Sequence, residues 1–311
     1  MARSSWRRVV TPAVMLVASV ALLPVLTGLG SPAASSPGDP VLTAAGDIDG
    51  CGPGKDTARI IDGTDGVVAA LGDNAYPSGS PSDFAQCYAP TWGQFKDRTR
   101  PVPGNHDYDV PKASGYFGFF GAAAGPAGTG YYSYDVGGWH IVGLNSNCSF
   151  VDCNTERAWL NDDLTAHPAP CILAYWHHPR FSSGSAGDNT TVNPFWKVLY
   201  DHNASVVLNG HDHDYERFAP QNPDGHADPG RGIREFIVGT GGGALGSLYG
   251  AAPNSEVRKQ DSFGVLQLTL HPDSYDWRFV PVAGDPFTDS GSDTCGPAPA
   301  ASPAPAPAPP A

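Results

Sequence analysis

A chain of 311 residues with an apolar fraction of 41% has the apolar content for one large folded unit, which predicts one catalytic-sized domain. Its net charge of −13 becomes about −16 once the three arginines of the first 34 residues are discounted. Such a surface repels polyanions at long range and excludes nucleic acid as a stable partner.

Residues 1–34 open with Arg3, Arg7 and Arg8, continue as an apolar run from Val9 and end in small residues around Ser31 to Ala34. That order is a secretory signal, with Ser31-Pro32-Ala33 as the cleavage site. The run is almost long enough to span a bilayer, but Pro12 and Pro24 interrupt it, so removal is expected, with no retained membrane span and a secreted product. In an exported chain the six cysteines are expected to be bonded. Cys148 and Cys153 bracket the short loop CSFVDC, Cys51 and Cys87 sit near two of the motifs below, and Cys171 is left with Cys295 among the several connectivities open to six thiols. No C-x-x-C pair supports a cysteine metal site.

From residue 40 to 286, short apolar runs alternate with helical patterns. VLTAAG, GVVAALG, YYSYDVGGWHIVGLNS, CILAYW, SVVLNG, REFIVGT and FGVLQLTL read as strands, and TARIID, TERAWLNDDLTAH and NPFWKVLYDH as helices, the second with Thr155 as its N-cap. This alternation predicts a layered α/β fold whose later strands are mostly antiparallel. Residues 287–311, closing on GPAPAASPAPAPAPPA, read as an extended, disordered Pro/Ala-rich tail, either a spacer that associates the protein with a cell wall or the stub of a linker.

Polar residues recur at one place in this pattern. VLTAAG runs into Asp47, VVAALG into Asp73, RPVPG into Asn105 and His106, CILAYW into His177, and SVVLNG into His211 and His213. Taken singly, an Asp after a strand is usually a turn residue, and a lone His is more often a surface or satisfied core group. Together they matter more, because loops beyond the carboxyl ends of strands converge on one crevice in open α/β sheets.

The ordered set GDIDG, GDNAY, GNHD, WHHP and GHDHDYER resembles the calcineurin-like metallophosphoesterases, and within them the purple acid phosphatases, over residues 41 to 282. The resemblance implies a four-layer αββα sandwich in a single catalytic domain, without the front domain of large plant members. It implies two metal ions: Fe(III) held by Asp47, His213 and the Tyr76 phenolate, and a divalent Zn, Mn or Fe held by Asn105, His177 and His211, with Asp73 shared. The donor chemistry agrees, since phenolate and carboxylates suit a hard trivalent ion, and imidazoles with an amide oxygen suit a divalent one. A His-x-His segment leaving a strand in an irregular turn can send one imidazole to each metal of a pair about 3.5–4 Å apart. Asp214, Glu216 and Arg217 then either fix imidazole orientation or form an ordinary ion pair.

The activity implied is hydrolysis of a small phosphate monoester by a metal-activated water. His106 either stabilises the transition state and protonates the leaving group, or supports the ligands. Asp49 stands where non-purple relatives carry a metal-binding His, as an extra oxygen ligand or a turn cap. His178 and Arg180 are candidate substrate contacts in a loop that lacks the further histidines of large members. VGTGGG, without the Lys of a P-loop, reads as a flexible turn beside the site, and the aromatic stretch from Tyr116 to His140 as hairpin packing rather than a cleft lining. Two other readings share these motifs: phosphodiester hydrolysis on nucleotide or lipid headgroup derivatives, and a non-catalytic wall protein stabilised by its metals.

Overall fold

Runs of small and branched apolar residues become buried parallel strands, alternating with helices as a layered α/β fold requires. In the computed structural model, which describes residues 38–296, β1 (Val41–Ala45) is followed by α1 (Gly54–Asp62), β2 (Val67–Leu71), the single turn α2 (Pro81–Asp83), β3 (Thr99–Val102) and α3 (Ser114–Phe120). The hairpin β4 (Tyr132–Val136) and β5 (Trp139–Gly143) leads through α4 (Cys153–Ala166) to β6 (Cys171–Tyr175), α5 (Asn193–Asp201) and β7 (Val206–Asn209). The chain continues through β8 (Tyr215–Phe218), β9 (Arg234–Val238), β10 (Ser255–Lys259), β11 (Gly264–Leu270), β12 (Ser274–Pro281) and β13 (Ser290–Thr294).

These strands form two sheets, a six-stranded one in the order β13-β12-β11-β1-β2-β3 and a seven-stranded one in the order β10-β8-β9-β7-β6-β5-β4. β1, β2 and β3 are parallel, as are β5, β6, β7 and β9, while β4, β8, β10, β11, β12 and β13 pair antiparallel. Alternation along the second sheet sorts its side chains between two cores. Ile141, Leu173, Val206, Leu208, Phe236 and Val238 join Leu266 and Leu268 of the first sheet in one core. Val142, Ile172, Ala174, Val207 and Ile237 face Leu160 and Leu164 of α4 and Phe195, Trp196 and Leu199 of α5 in the other. The fold is the expected mixed α/β sandwich of two sheets and helices.

The three disulfides are Cys51–Cys87, Cys148–Cys153 and Cys171–Cys295, the pairs expected from the sequence. The last corrects the boundary set at residue 286. β13 pairs with β12 and Cys295 is bonded to the first residue of β6, so the folded chain continues past the expected start of the tail. The signal segment and the Pro/Ala repeat from residue 297 lie outside the described residues. Among the described residues no helix is long and apolar enough to cross a membrane.

Other expectations need correcting. α4 is capped by Asp152 rather than Thr155: the Asp152 carboxylate accepts from the N–H groups of Asn154 and Thr155 at 3.0 and 3.4 Å, and the helix has already begun at Cys153. The strands β8, β10, β12 and β13 were not foreseen. The aromatic stretch divides between the β4–β5 hairpin and α3, whose Phe119 and Phe120 pack with Phe84 and Tyr88.

Candidate metal centre

Each polar motif leaves a strand at its carboxyl end, and the backbone makes the turn in an unusual way. Asp47, Asp73 and His211 all adopt positive φ, at 60°, 48° and 72°. A side chain in this left-handed region is strained unless the surroundings hold it there, and such residues cluster at functional sites. Two glycines give the turns room: a Cβ on Gly104 would lie 2.1 Å from Asp73 Oδ1, and one on Gly243 would lie 3.0 Å from both His213 Cε1 and Tyr76 Cε2.

On one side, the Tyr76 hydroxyl donates to Asp73 Oδ2 at 2.9 Å and Asp47 Oδ1 at 3.2 Å, and lies 2.8 Å from His213 Nε2. His213 Nε2 is also 3.2 Å from Asp47 Oδ1. On the other side, His177 Nε2 is 3.1 Å from Asn105 Oδ1, 3.2 Å from His211 Nδ1 and 3.4 Å from Asp73 Oδ2. Asp73 thus touches both groups. The far nitrogens of His177 and His213 rest on the carbonyls of Leu71 and Ala244 at 2.9 and 2.5 Å, which fixes the orientation of each ring. Asp214, Glu216 and Arg217 do not touch these imidazoles. Glu216 accepts from Ser183 and from Ser255, and Arg217 pairs with Asp289 and Glu256.

The electrostatics are those of buried anions seeking positive charge. Asp47 and Asp73 are 0% and 2% exposed. Burial alone would raise Asp73, yet the charge and hydrogen bond of His177, then His106, hold its carboxyl well below the usual range. Burial alone would lower His177 and His213, but Asp73 acting on the first and Asp47 on the second push both up to about 9. Burial and the charge of His177 bring His211 down to about 4 and His178 to about 2. Burial, then the charges of Asp47 and Asp73, hold the Tyr76 phenol well above its ordinary range. The buried carboxylates thus call for positive charge beside them, which a metal cation supplies. Asp47, Asp73 and His177, and separately His177, His178 and His211, each present ligand atoms within 4.8 Å of one another, a donor set that fits metal ions.

His106 borders this cluster. Its Nδ1 lies 2.8 Å from the Pro77 carbonyl and 3.1 Å from Asp109 Oδ2, its ring centroid 4.8 Å from that of Tyr76, and its Nε2 4.0 Å from Asp73 Oδ2. Asp49 and Arg180 stay apart from it. Asp49 Oδ1 accepts from the N–H groups of Cys51 and Gly52 at 3.1 and 3.0 Å, capping the turn. Arg180 is 9% exposed, donates from Nε to Asn193 Oδ1 at 3.0 Å and stacks on Phe181, because a guanidinium buried beside α5 finds its partners there. The VGTGGG turn is beside the site but is tied down, with Gly241 N–H donating to Gly46 and Gly243 N–H to Asp47.

Sequence reasoning missed the loop after β5. Ser146 Oγ lies 2.8 Å from His178 Nδ1, and Ser146, Asn147, Ser149 and Phe150 line a cleft of about 210 Å³ with Asn105 and His178. The signal was available: WHIVGLNSN is one more strand running into polar residues.

Comparison with known proteins identifies the family. Residues 41–215 match the calcineurin-like phosphoesterase family model, a span that ends in the last motif of the set. The chain is 27% identical to purple acid phosphatase 15 of Arabidopsis thaliana over 51% of its own length and 37% of the relative's, and 28% identical to purple acid phosphatase 18 of the same plant over 73% and 56%. It therefore spans between about a third and just over half of these relatives. Among solved structures, a purple acid phosphatase from yellow lupin (Lupinus luteus) seeds superposes with a TM-score of 0.66 at 17% identity, covering 86% of this chain and 55% of that one. GAP50, the anchor in the inner membrane complex of Plasmodium, superposes with a TM-score of 0.63 at 14% identity, covering 83% and 89%. With five motifs gathered at one end of two sheets and a family model matching more than half its length, the chain belongs to the calcineurin-like phosphoesterases.

Proposed function

We propose that the protein is an exported metal-dependent phosphatase that hydrolyses phosphate monoesters at a two-metal centre. Asp47, Tyr76 and His213 would hold Fe(III), Asn105, His177 and His211 a divalent Zn, Mn or Fe, and Asp73 would be shared. One observation carries the reading: Asp73 touches both donor groups, with Tyr76 on one side and His177 on the other. When bound, two such cations offset the charge of the phosphoryl oxygens and acidify water.

The chain's own residues supply the rest. The Leu71 and Ala244 carbonyls keep His177 and His213 aimed inward. His106, anchored through Nδ1 on the Pro77 carbonyl, presents its other nitrogen to the site and hands a proton to the leaving oxygen. The neighbouring cleft, lined by Asn147, Ser149, Phe150, Asn189 and Thr191, receives a leaving group that is neutral or weakly polar, since no Lys or Arg is among its lining residues. Export is supported by the leader pattern and by three disulfides, which persist in oxidising compartments.

Metal content and a visible spectrum of wild type and Tyr76→Phe test the centre. Iron with a broad visible band that disappears in Tyr76→Phe supports it, and a colourless protein unaffected by the substitution refutes the tyrosinate site. Turnover of p-nitrophenyl phosphate against bis-p-nitrophenyl phosphate tests the substrate class, and a strong preference for the diester overturns the monoester reading.

A further inference from the structure

A second cluster of metal-ligand type lies at the other end of β5 from the loop that reaches the candidate centre. His140, the second residue of β5, is 2% exposed, and both of its ring nitrogens meet carboxylates. Nδ1 is 2.7 Å from Asp135 Oδ1, on the facing residue of edge strand β4, and Nε2 is 2.9 Å from Asp163 Oδ2 on α4. One turn further along, at the C-cap of α4, His167 stacks on His140 with ring centroids 5.2 Å apart and planes 14° apart. Its Nδ1 lies 3.3 Å from Asp163 Oδ1 and 2.9 Å from the Asp163 carbonyl oxygen.

Two imidazoles thus converge on the two oxygens of one carboxylate, and ligand atoms of His140, Asp163 and His167 all lie within 4.8 Å of one another. Adjacent ligand atoms around a tetrahedral zinc ion sit about 3.3 Å apart, given bonds of about 2.0–2.2 Å; the His167 contact of 3.3 Å to one Asp163 oxygen matches that spacing and the His140 contact of 2.9 Å to the other is slightly shorter. Asp135 supplies what such sites usually add, a carboxylate accepting from the far nitrogen of a ligating histidine, which turns its other nitrogen to the ion. Ser133 Oγ donates to Asp163 Oδ1 at 2.8 Å and steadies the central carboxylate. With neutral imidazoles, Asp135 and Asp163 leave two negative charges that one dication offsets. Two nitrogens and one oxygen favour a zinc-type ion over magnesium or calcium.

We propose that His140, Asp163 and His167 bind one zinc-type divalent cation, separate from the catalytic centre, with Asp135 orienting His140 and solvent completing the shell. The ion clips the C-terminal end of α4 to the β4–β5 hairpin at the edge of the seven-stranded sheet, while the Cys148–Cys153 bond holds the other end of the helix.

The test compares full-length wild type with His167→Ala and His167→Cys, each equilibrated with zinc and desalted. The His167 side chain is 54% exposed, so both variants should fold. Wild type and His167→Cys, whose thiolate is a zinc ligand, should each retain one more zinc ion per chain than His167→Ala. Zinc should raise the Tm of the first two more than that of the third, and p-nitrophenyl phosphate turnover should be equal in all three. Zinc content and Tm response in His167→Ala equal to wild type would overturn the proposal. So would loss of the extra ion in His167→Cys as well as His167→Ala, with circular dichroism and turnover intact, because a true ligand position tolerates a replacement ligand.

Discussion

Substituting Gly104 by Ala tests how tightly the centre is built. Gly104 is absent from the positive-φ residues, so its backbone accepts a side chain, and any effect must come from the methyl group itself. That methyl would sit 2.1 Å from Asp73 Oδ1 and 2.3 Å from Asp73 N, where non-bonded carbon and oxygen need more than about 3 Å. Asp73 therefore has to move by about 1 Å, carrying the one carboxylate that touches both donor groups. A misplacement of that size at reacting groups costs about 100-fold in rate, whereas overpacking of this kind costs about 1–3 kcal/mol in stability. The expected outcome is kcat for p-nitrophenyl phosphate lowered about 100-fold with a Tm lowered by a few degrees. Gly118→Ala is the control: its added methyl meets nothing within 4 Å, and it lies inside α3, where Ala is favoured over Gly by about 1 kcal/mol. It should leave kcat unchanged and raise Tm slightly. Turnover of Gly104→Ala within threefold of wild type, at equal metal content, would refute the reasoning.

Three further outcomes are expected. His106→Asn should lower kcat about 100-fold or more without changing metal content, and the loss should be larger for alkyl phosphates, whose leaving oxygen needs the proton, than for p-nitrophenyl phosphate; equal losses would reassign His106 to ligand support. His271 is buried between Asp39 Oδ2 at 2.7 Å and Asp276 Oδ2 at 3.2 Å; burial opposes its charge, but these two carboxylates raise it above 6.5. A raised histidine stabilises fully below its unfolded pKa and loses that contribution as pH rises through the folded one, so the Tm advantage of wild type over His271→Gln should be present at pH 6 and shrink towards pH 9. Opening Cys171–Cys295, with its separation of 124 residues, should cost about 5 kcal/mol in urea unfolding against about 2 kcal/mol for Cys148–Cys153, with its separation of 5; equal costs would contradict the chain-entropy argument.

The candidate centre was more legible than the fold around it. Asp47, Asp73, Asn105, His177 and the two histidines of GHDHDYER announce themselves because each ends an apolar run, and strand ends are where loops converge. Arg180 misled for the opposite reason: a guanidinium after WHHP suggests phosphate, and only the fold reveals that it lies over the neighbouring Phe181 ring and bonds Asn193 at the start of α5. Strand β8 was hidden by its charge, since Tyr215-Glu216-Arg217-Phe218 looks like surface until Ser183, Ser255 and Asp289 satisfy it. In β12 the signal was present, with Tyr275, Trp277 and Phe279 alternating inward. β13 carries Ser, Gly, Ser, Asp and Thr with no apolar pattern at all, and only pairing with β12 makes it a strand.

The Cys171–Cys295 bond also determines where a mechanical load would enter the molecule. Cys171 begins β6, whereas His177 lies just beyond the other end of that strand, a path of about 20 Å at the rise of an extended chain. Gly296, whose N–H donates to Ser205 Oγ, is likewise at the start of β7, opposite to His211. Anything joined after residue 296 therefore pulls on the amino end of β6 through a covalent link and on that of β7 through a hydrogen bond. Cargo or an anchor joined there acts at the opposite end of these strands from the candidate centre, so immobilisation through this part of the chain leaves that centre unobstructed.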